Sequence, residues 1–400
     1  MPVERPGRRL GWAVCAVALM LVLLVLWTGA RSPEMTATVD PPGWARAAPA
    51  SVAAEASAPG AGPSATSPRS AGSDMRTVAP PAACPPEIRE LVGRPAEAID
   101  SLMRRMRPRA LGHAGEAFRR AAGPFEQAMS TLLSARARSE FGALSPDDYL
   151  GLVAAALSTS DWRVTALTLH LCAVATAGQA PACASLNPSR WAELDPENAL
   201  AWTSVAARAL AAQDAAAADL AMSRAAQART ARTLWGEVMR VAQSPALVGL
   251  PATERQVLVM ALIGTASQAQ LSSVVGASTA CSVDAIGAGA RQAECGAIAE
   301  LLVEQAESLL DLQIGVAIAR RAGWDAGRLD ALEADYIALS EALVQDFDLS
   351  FDNYARRDEA QACQQYMKLE AVMARVARGD EVAQARRALA RMRAASVPAR

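Results

Sequence analysis

Residues 191–226 read WAELDPENALAWTSVAARALAAQDAAAADLAMSRAA, and this stretch decides the fold class. Asp195 and Pro196 follow an apolar helical end and open the next helix. There Trp202, Val205, Ala206, Ala209 and Leu210 recur at the three-or-four spacing of one buried helix face. Gln213 and Asp214 interrupt the pattern. Ala217, Ala218, Ala221, Met222 and Ala225 then repeat the period on a second helix, with small side chains where two helix axes must come close. The stretch is a helical hairpin.

The rest of the chain from Cys84 onward continues in the same vein. The 400 residues are 52% hydrophobic, mostly through alanine, with only 4% aromatics. No valine- and isoleucine-rich alternating run occurs, so the pattern predicts an all-α class. Helices are expected over about 86–107, 111–139 with a break at Gly123-Pro124, 145–158, 161–177, 181–194, 197–212, 215–243, 252–280, 291–322, 325–349, 355–377 and 380–395.

Aligned in this way, the hairpin resembles the tetratricopeptide (TPR) repeat, a thirty-four-residue helical pair. Trp202, Val205 with Ala206, Ala209, Ala218, Met222 and Ala225 fall on its signature positions, and Pro196 stands where the preceding repeat should end. Ala replaces the expected Tyr, Met replaces the aromatic, and Thr230 stands where a Pro closes the repeat. A weaker preceding repeat runs from Thr165 to Asn198, so TPR-like units are expected at about 165–232. The resemblance implies a concave partner-binding groove lined by Leu200, Thr203, Ala207, Leu210 and Ala211. These residues are small and apolar, which suits either an apolar partner helix or this chain's own neighbouring helices.

The resemblance also places Cys172 on the first helix of the weaker repeat beside Cys183 on the second, which implies a disulfide between them. Cys281 and Cys295 flank a glycine-containing connection of similar span and are paired on the same reasoning. Cys84 and Cys363 remain as a clasp between the first and penultimate helices, although six cysteines allow fifteen pairings and the sequence leaves this bridge open.

Upstream of the helical body, Leu10 to Ala30 is uncharged and apolar, with Trp12 and Trp27 near its ends and Arg5, Arg8 and Arg9 before it. As a helix it would run roughly 30 Å, the hydrocarbon thickness of a bilayer. It is expected to be a single membrane-spanning helix, with residues 1–9 cytoplasmic and everything after Arg31 exported. A signal peptide cleaved after Ala30 is the competing reading, giving a secreted factor. Residues 31–83 hold nine prolines among Ala, Ser, Thr and Gly, with no periodic apolar face, and are expected to be a disordered linker. The predicted organisation is therefore a bacterial inner-membrane protein whose domain 84–400 lies in the periplasm. An arginine bias so strong that Lys368 is the only lysine fits a GC-rich bacterial genome.

Chemistry is sparsely encoded. A net charge of −2 argues against nucleic-acid binding, and a single lysine and two histidines remove the central residues of phosphate loops and multi-histidine metal sites. No G-x-S-x-G motif occurs, and neither a cofactor nor a metal is expected. Glu300, Glu304, Glu307 and Asp311 read as a solvated acidic stripe on one helix; a hydrolase using Glu300 and Glu304 is the alternative they allow. Asp346, Asp348, Asp352 and Asn353 form an acidic loop without the glycine bend of a calcium site. His170 is expected as a satisfied, partly buried side chain and His113 as an exposed one at a helix start. The expected function is protein–protein interaction or scaffolding at the envelope, with the membrane and a protein as partners, and the sequence leaves open whether the chain is an enzyme.

Overall fold

The chain divides into two units, Met1–Ala82 and Ala83–Arg400. A computed structural model describes residues 86–89, 96–121, 123–139, 143–176, 178–287, 291–346 and 359–395, all in the second unit. The expected membrane helix 10–30, the linker 31–83, Cys84, and the acidic residues Asp348, Asp352 and Asn353 lie outside them.

The described residues are all-helical and contain no strand. The helices are α1 (Pro86–Arg89), α2 (Ala96–Arg119), α3 (Pro124–Arg138), α4 (Pro146–Ser158), α5 (Trp162–Ala173), α6 (Ala180–Cys183) and α7 (Pro188–Leu194). They continue as α8 (Ala199–Ala211), α9 (Ala215–Gln227), α10 (Trp235–Arg240), α11 (Ala252–Ala280) and α12 (Val283–Gly287). The last are α13 (Arg291–Glu304), α14 (Leu309–Arg321), α15 (Ala326–Asp346), α16 (Glu359–Val376) and α17 (Glu381–Ala395).

Short polar side chains start several of these helices. Ser145 and Asp148 form a reciprocal capping box on α4, with Pro146 at its first turn. Asp161 caps α5, Asn198 caps α8 and Asp214 caps α9. Between α8 and α9, Gln213 takes a left-handed turn at φ 60°. The hairpin is then closed at its open end, where a one-residue bridge joins Asn198 to Thr230. Thr230 Oγ1 and its backbone N–H both donate to the carbonyl of Glu197 at 3.0 Å, and Asn198 Nδ2 donates to the carbonyl of Arg232 at 3.0 Å. Thr230, which lacks the proline ring the repeat pattern favours, uses the N–H that a proline would not have.

The centre of the domain is α11. It packs against α2, α5, α8, α10, α14 and α16, and Leu258, Leu262, Ala266, Ala269, Val274 and Ala277 on it are no more than 2% exposed. The stretch Thr253–Gly287 is long and apolar enough to cross a membrane, but here its main helix is a core element, with six neighbouring helices packed against it. Both its ends are pinned by charge. Buried Glu254 in the first turn accepts from Arg109 Nε and lies against His113 Nδ1, each at 2.7 Å. Arg321 Nη1 donates to the carbonyls of Ser278 and Cys281 at 3.3 Å, satisfying backbone oxygens that the helix end leaves bare. The α8–α11 crossing is close because Gly276 presents no side chain to Ser204; a Cβ there would lie 3.4 Å from its Oγ.

Several expected boundaries move. Helix α2 runs through Pro108 and Gly112, so His113 sits inside a helix and not at its start. The expected helix 215–243 ends at Gln227, where the chain turns back to stitch Thr230 to Glu197. The expected helix 291–322 is two helices, because Ser308 and Asp311 form a second reciprocal capping box that starts α14.

Candidate functional site

A cleft of about 660 Å³ opens between α2, α3, α4, the turn after α5, and α11. Arg104, Arg107 and Arg136 line it beside Leu144, Leu171, Val174, Val257, Met260 and Ala261, and no carboxylate is among the described lining residues. Val174 and Met260 are 50% and 46% exposed, so the apolar wall faces the opening and is not sealed core. Gly264 also lines it, and a Cβ built there would meet nothing within 4 Å.

Arg136 is the innermost cation. Its Nη1 donates to Thr265 Oγ1 and its Nη2 to Gln268 Oε1 at 3.2 Å, both on α11. Burial, reinforced by the like charge of Arg107, lowers its pKa to about 10, with Tyr149 acting weakly in the other direction. Two neutral partners leave three of the five guanidinium N–H bonds for another acceptor. Tyr149 lines the same wall; burial pushes its phenol pKa up, and its hydroxyl donates to the carbonyl of Leu171 at 3.3 Å.

One edge of the cleft is the turn that carries Val174, Thr176 and Gln179. Gln179 Nε2 donates to the carbonyl of Leu144 at 2.6 Å, and Gln179 Oε1 accepts from the backbone N–H of Thr176 at 2.8 Å. Cys172 and Cys183 bracket this turn and are joined as a disulfide across 5.7 Å between Cα atoms. Cys281 and Cys295 form a second disulfide with the same Cα separation and are fully buried. Cys363 on α16 is also disulfide-bonded, and α16 packs against α1, which begins two residues after Cys84.

The two histidines have unlike surroundings. His170 is buried edge-on to Trp191 with ring centroids 5.4 Å apart, and its Nε2 lies 2.8 Å from Ser273 Oγ on α11. Ser273 donates to the carbonyl of Ala269 at 3.1 Å, which leaves the imidazole N–H as donor to the serine. Burial lowers the His170 pKa to about 3, so it stays neutral. Neither side chain reaches the cleft, and the pair is a packing element. His113, by contrast, is half-exposed beside Glu254.

The acidic stripe divides. Glu300 is held at 2.6 Å by Arg328, whose hydrogen bond keeps its carboxyl below the usual range, and Glu304 is exposed at the end of α13. Glu307 and Asp311 turn inward, because the helix breaks between them and Glu304. They meet Glu381 at a corner where α10, the α13–α14 turn and the start of α17 converge. The carbonyl of Glu307 accepts from the backbone N–H groups of Glu381 and Val382 at 2.8 and 3.2 Å, and Glu381 Oε2 accepts from Leu309 N–H at 2.9 Å. Burial raises both glutamates to about 7 against the hydrogen bonds they accept, with Asp311 a smaller cause in the same direction. Burial also raises Asp311, which accepts from Gln270 Nε2 at 2.8 Å.

Of the five groove positions, Leu200 and Thr203 are fully buried under this chain's own helices, α11 among them. Ala207 and Leu210 are half-buried and Ala211 is exposed. Those two positions are thus closed to a partner by the chain's own packing. Trp202 is turned half outward, its Nε1 donating to the carbonyl of Pro196 at 2.8 Å and its ring stacked under Arg224. Among the described residues, no group of three His, Cys, Asp or Glu side chains is placed to hold a metal ion.

The site and fold together define an all-α domain built on one buried central helix, with a cationic, apolar-walled cleft at its side. Comparison with protein-family models, with curated proteins and with solved structures finds no match for this chain.

Proposed function

We propose that the chain is a membrane-anchored helical domain at a bacterial cell envelope that mediates protein–protein interaction or scaffolding outside the cytosol. The apolar run 10–30 behind three arginines supports a single-pass anchor with a cytoplasmic N-terminus. The two cysteine pairs joined as disulfides support an oxidising compartment. The α8–α9 hairpin, with its small-residue seam at Ala218, Ala221 and Ala225, supports the TPR-like reading of 165–232.

The observation that carries the interaction role is the outer face of α4. Leu150 and Leu157 are 54% and 47% exposed there, with exposed Ala154 between them at helical spacing, while Leu152, Val153 and Ala156 fill the inner face. That exposed apolar face supports the docking of a partner there. The hydrolase alternative lacks comparable support, since the Glu300 carboxylate is engaged by Arg328.

The test has two parts. A reporter enzyme active only outside the cytosol, fused after Arg400, is expected to be active. A photoreactive phenylalanine analogue at Leu150 or Leu157 is expected to give a discrete cross-linked protein that the same analogue at exposed Asp330 does not. A silent fusion at normal expression, or identical cross-links from all three positions, would defeat the proposal.

A further inference from the structure

The outer face of α4 and the arginine-lined cleft are different surfaces with different chemistry, and the envelope role above makes no use of the cleft. We propose that the cleft is a binding site for a monoacyl anionic amphiphile, its carboxylate or phosphate head on Arg136 and Arg104 and its chain along Leu171, Val174 and Met260.

Three observations lead there. The first is charge: Arg104 and Arg136 both line the cleft, and Arg136 meets only neutral partners. A cation withdrawn from water with neutral partners alone is costly, and a bound anion removes that cost through charge-assisted hydrogen bonds to its remaining N–H groups. The second is the wall. Val174 and Met260 stand half-exposed toward the opening, with Leu144, Leu171, Val257 and Ala261 around them. A free inorganic anion would leave this surface in water, whereas an acyl chain covers it. The third is size, since about 660 Å³ lies within the range of small-ligand sites and far exceeds one oxyanion.

The Cys172–Cys183 bridge belongs to this site. It closes the turn bearing Val174, Thr176 and Gln179, and so fixes one wall while Gln179 ties that wall to Leu144. The wall is therefore pre-formed, and a ligand need not order it.

The experiment uses the full chain in phosphatidylcholine nanodiscs and a diazirine-bearing laurate as photolabel, with mapping of the labelled peptides. Label is expected on peptides containing Val174 or Met260, displaced by unlabelled laurate and not by acetate or inorganic phosphate. Gly264→Leu fills open space in the cleft and is expected to reduce labelling at least tenfold. Arg136→Met is expected to weaken laurate competition by a similar factor. Should that variant fail to fold, Arg104→Ala removes an exposed cation of the same cluster and is expected to weaken competition severalfold. Label spread over other surfaces, label that Gly264→Leu leaves intact, competition unchanged by loss of either arginine, or displacement by acetate or phosphate as effective as by laurate would each overturn the proposal. Because none of these readouts depends on a protein partner or on the compartment, the envelope role stands or falls separately.

Discussion

Glu307 and Glu381 are acids that the fold prefers protonated. Burial holds each at about 7, above its ordinary 4.5, so the native state binds more protons than the unfolded chain between those values. Their contribution to stability is full below about 4.5 and is lost as pH rises through about 7. His170 acts with the opposite sign: held at about 3, it favours the fold above 6.5 and loses that contribution as pH falls. Between pH 6.5 and 8 the two carboxyls govern, and the melting midpoint is expected to fall over that range. Glu307→Gln should flatten the slope in circular-dichroism melts, and an unchanged slope would remove Glu307 from the explanation. Gly379 lies at the same corner with φ 69°, and a Cβ there would come within 2.7 Å of the Gly236 Cα. Gly379→Ala therefore meets both backbone strain and a backbone clash, and is expected to cost more than about 2 kcal/mol by urea denaturation.

At the scale of elements, each disulfide closes a short loop, for which the chain-entropy model gives about 3 kcal/mol. Reduction of Cys172–Cys183 is expected to raise hydrogen exchange in 174–179 well before it does so in α8 and α9, as mass spectrometry of exchanged peptides would resolve. Simultaneous loss of protection in both regions would make the bridge a global staple and not a local one. Most helices were legible from apolar period and from caps such as Ser145 and Asp214, whose effect is local. The break before α14 was marked locally by Ser308 and Asp311 and was missed, but two other misplacements come from contacts distant in sequence. Pro108 does not end α2, whose following turns pack on α3 and α11, and the chain after Gln227 is drawn back toward Glu197, thirty residues earlier. Nothing within a few residues of those points carries that information.

For the whole molecule, what the sequence left unread is which helix stands at the centre. The bounds of α11 match the expected helix 252–280, but an all-round apolar surface has no face that points to particular neighbours. Arg104, Arg107 and Arg136 escaped notice because two helices and α11 must assemble before they share a cleft. Two glycines of α11 test the assembly. Gly276→Leu forces side-chain atoms into the α8 backbone and is expected to destabilise the domain by roughly 1–3 kcal/mol, whereas Gly264→Leu has open space and should leave the urea midpoint nearly unchanged. Equal effects would mean that α8 and α11 do not cross as closely as described. The same helix imposes a condition on the chain's biogenesis if the domain is exported. A secretion channel opens sideways to release apolar segments into lipid, and α11 would arrive there before any neighbour could cover it. Its polar residues Glu254, Arg255, Gln268 and Gln270 then serve twice: as anchors in the finished domain and, earlier, as the toll of hydration that keeps the nascent segment moving through. Replacing Gln268 and Gln270 with leucine is expected to strand a fraction of chains in the bilayer at α11, seen as protection of that segment from added protease.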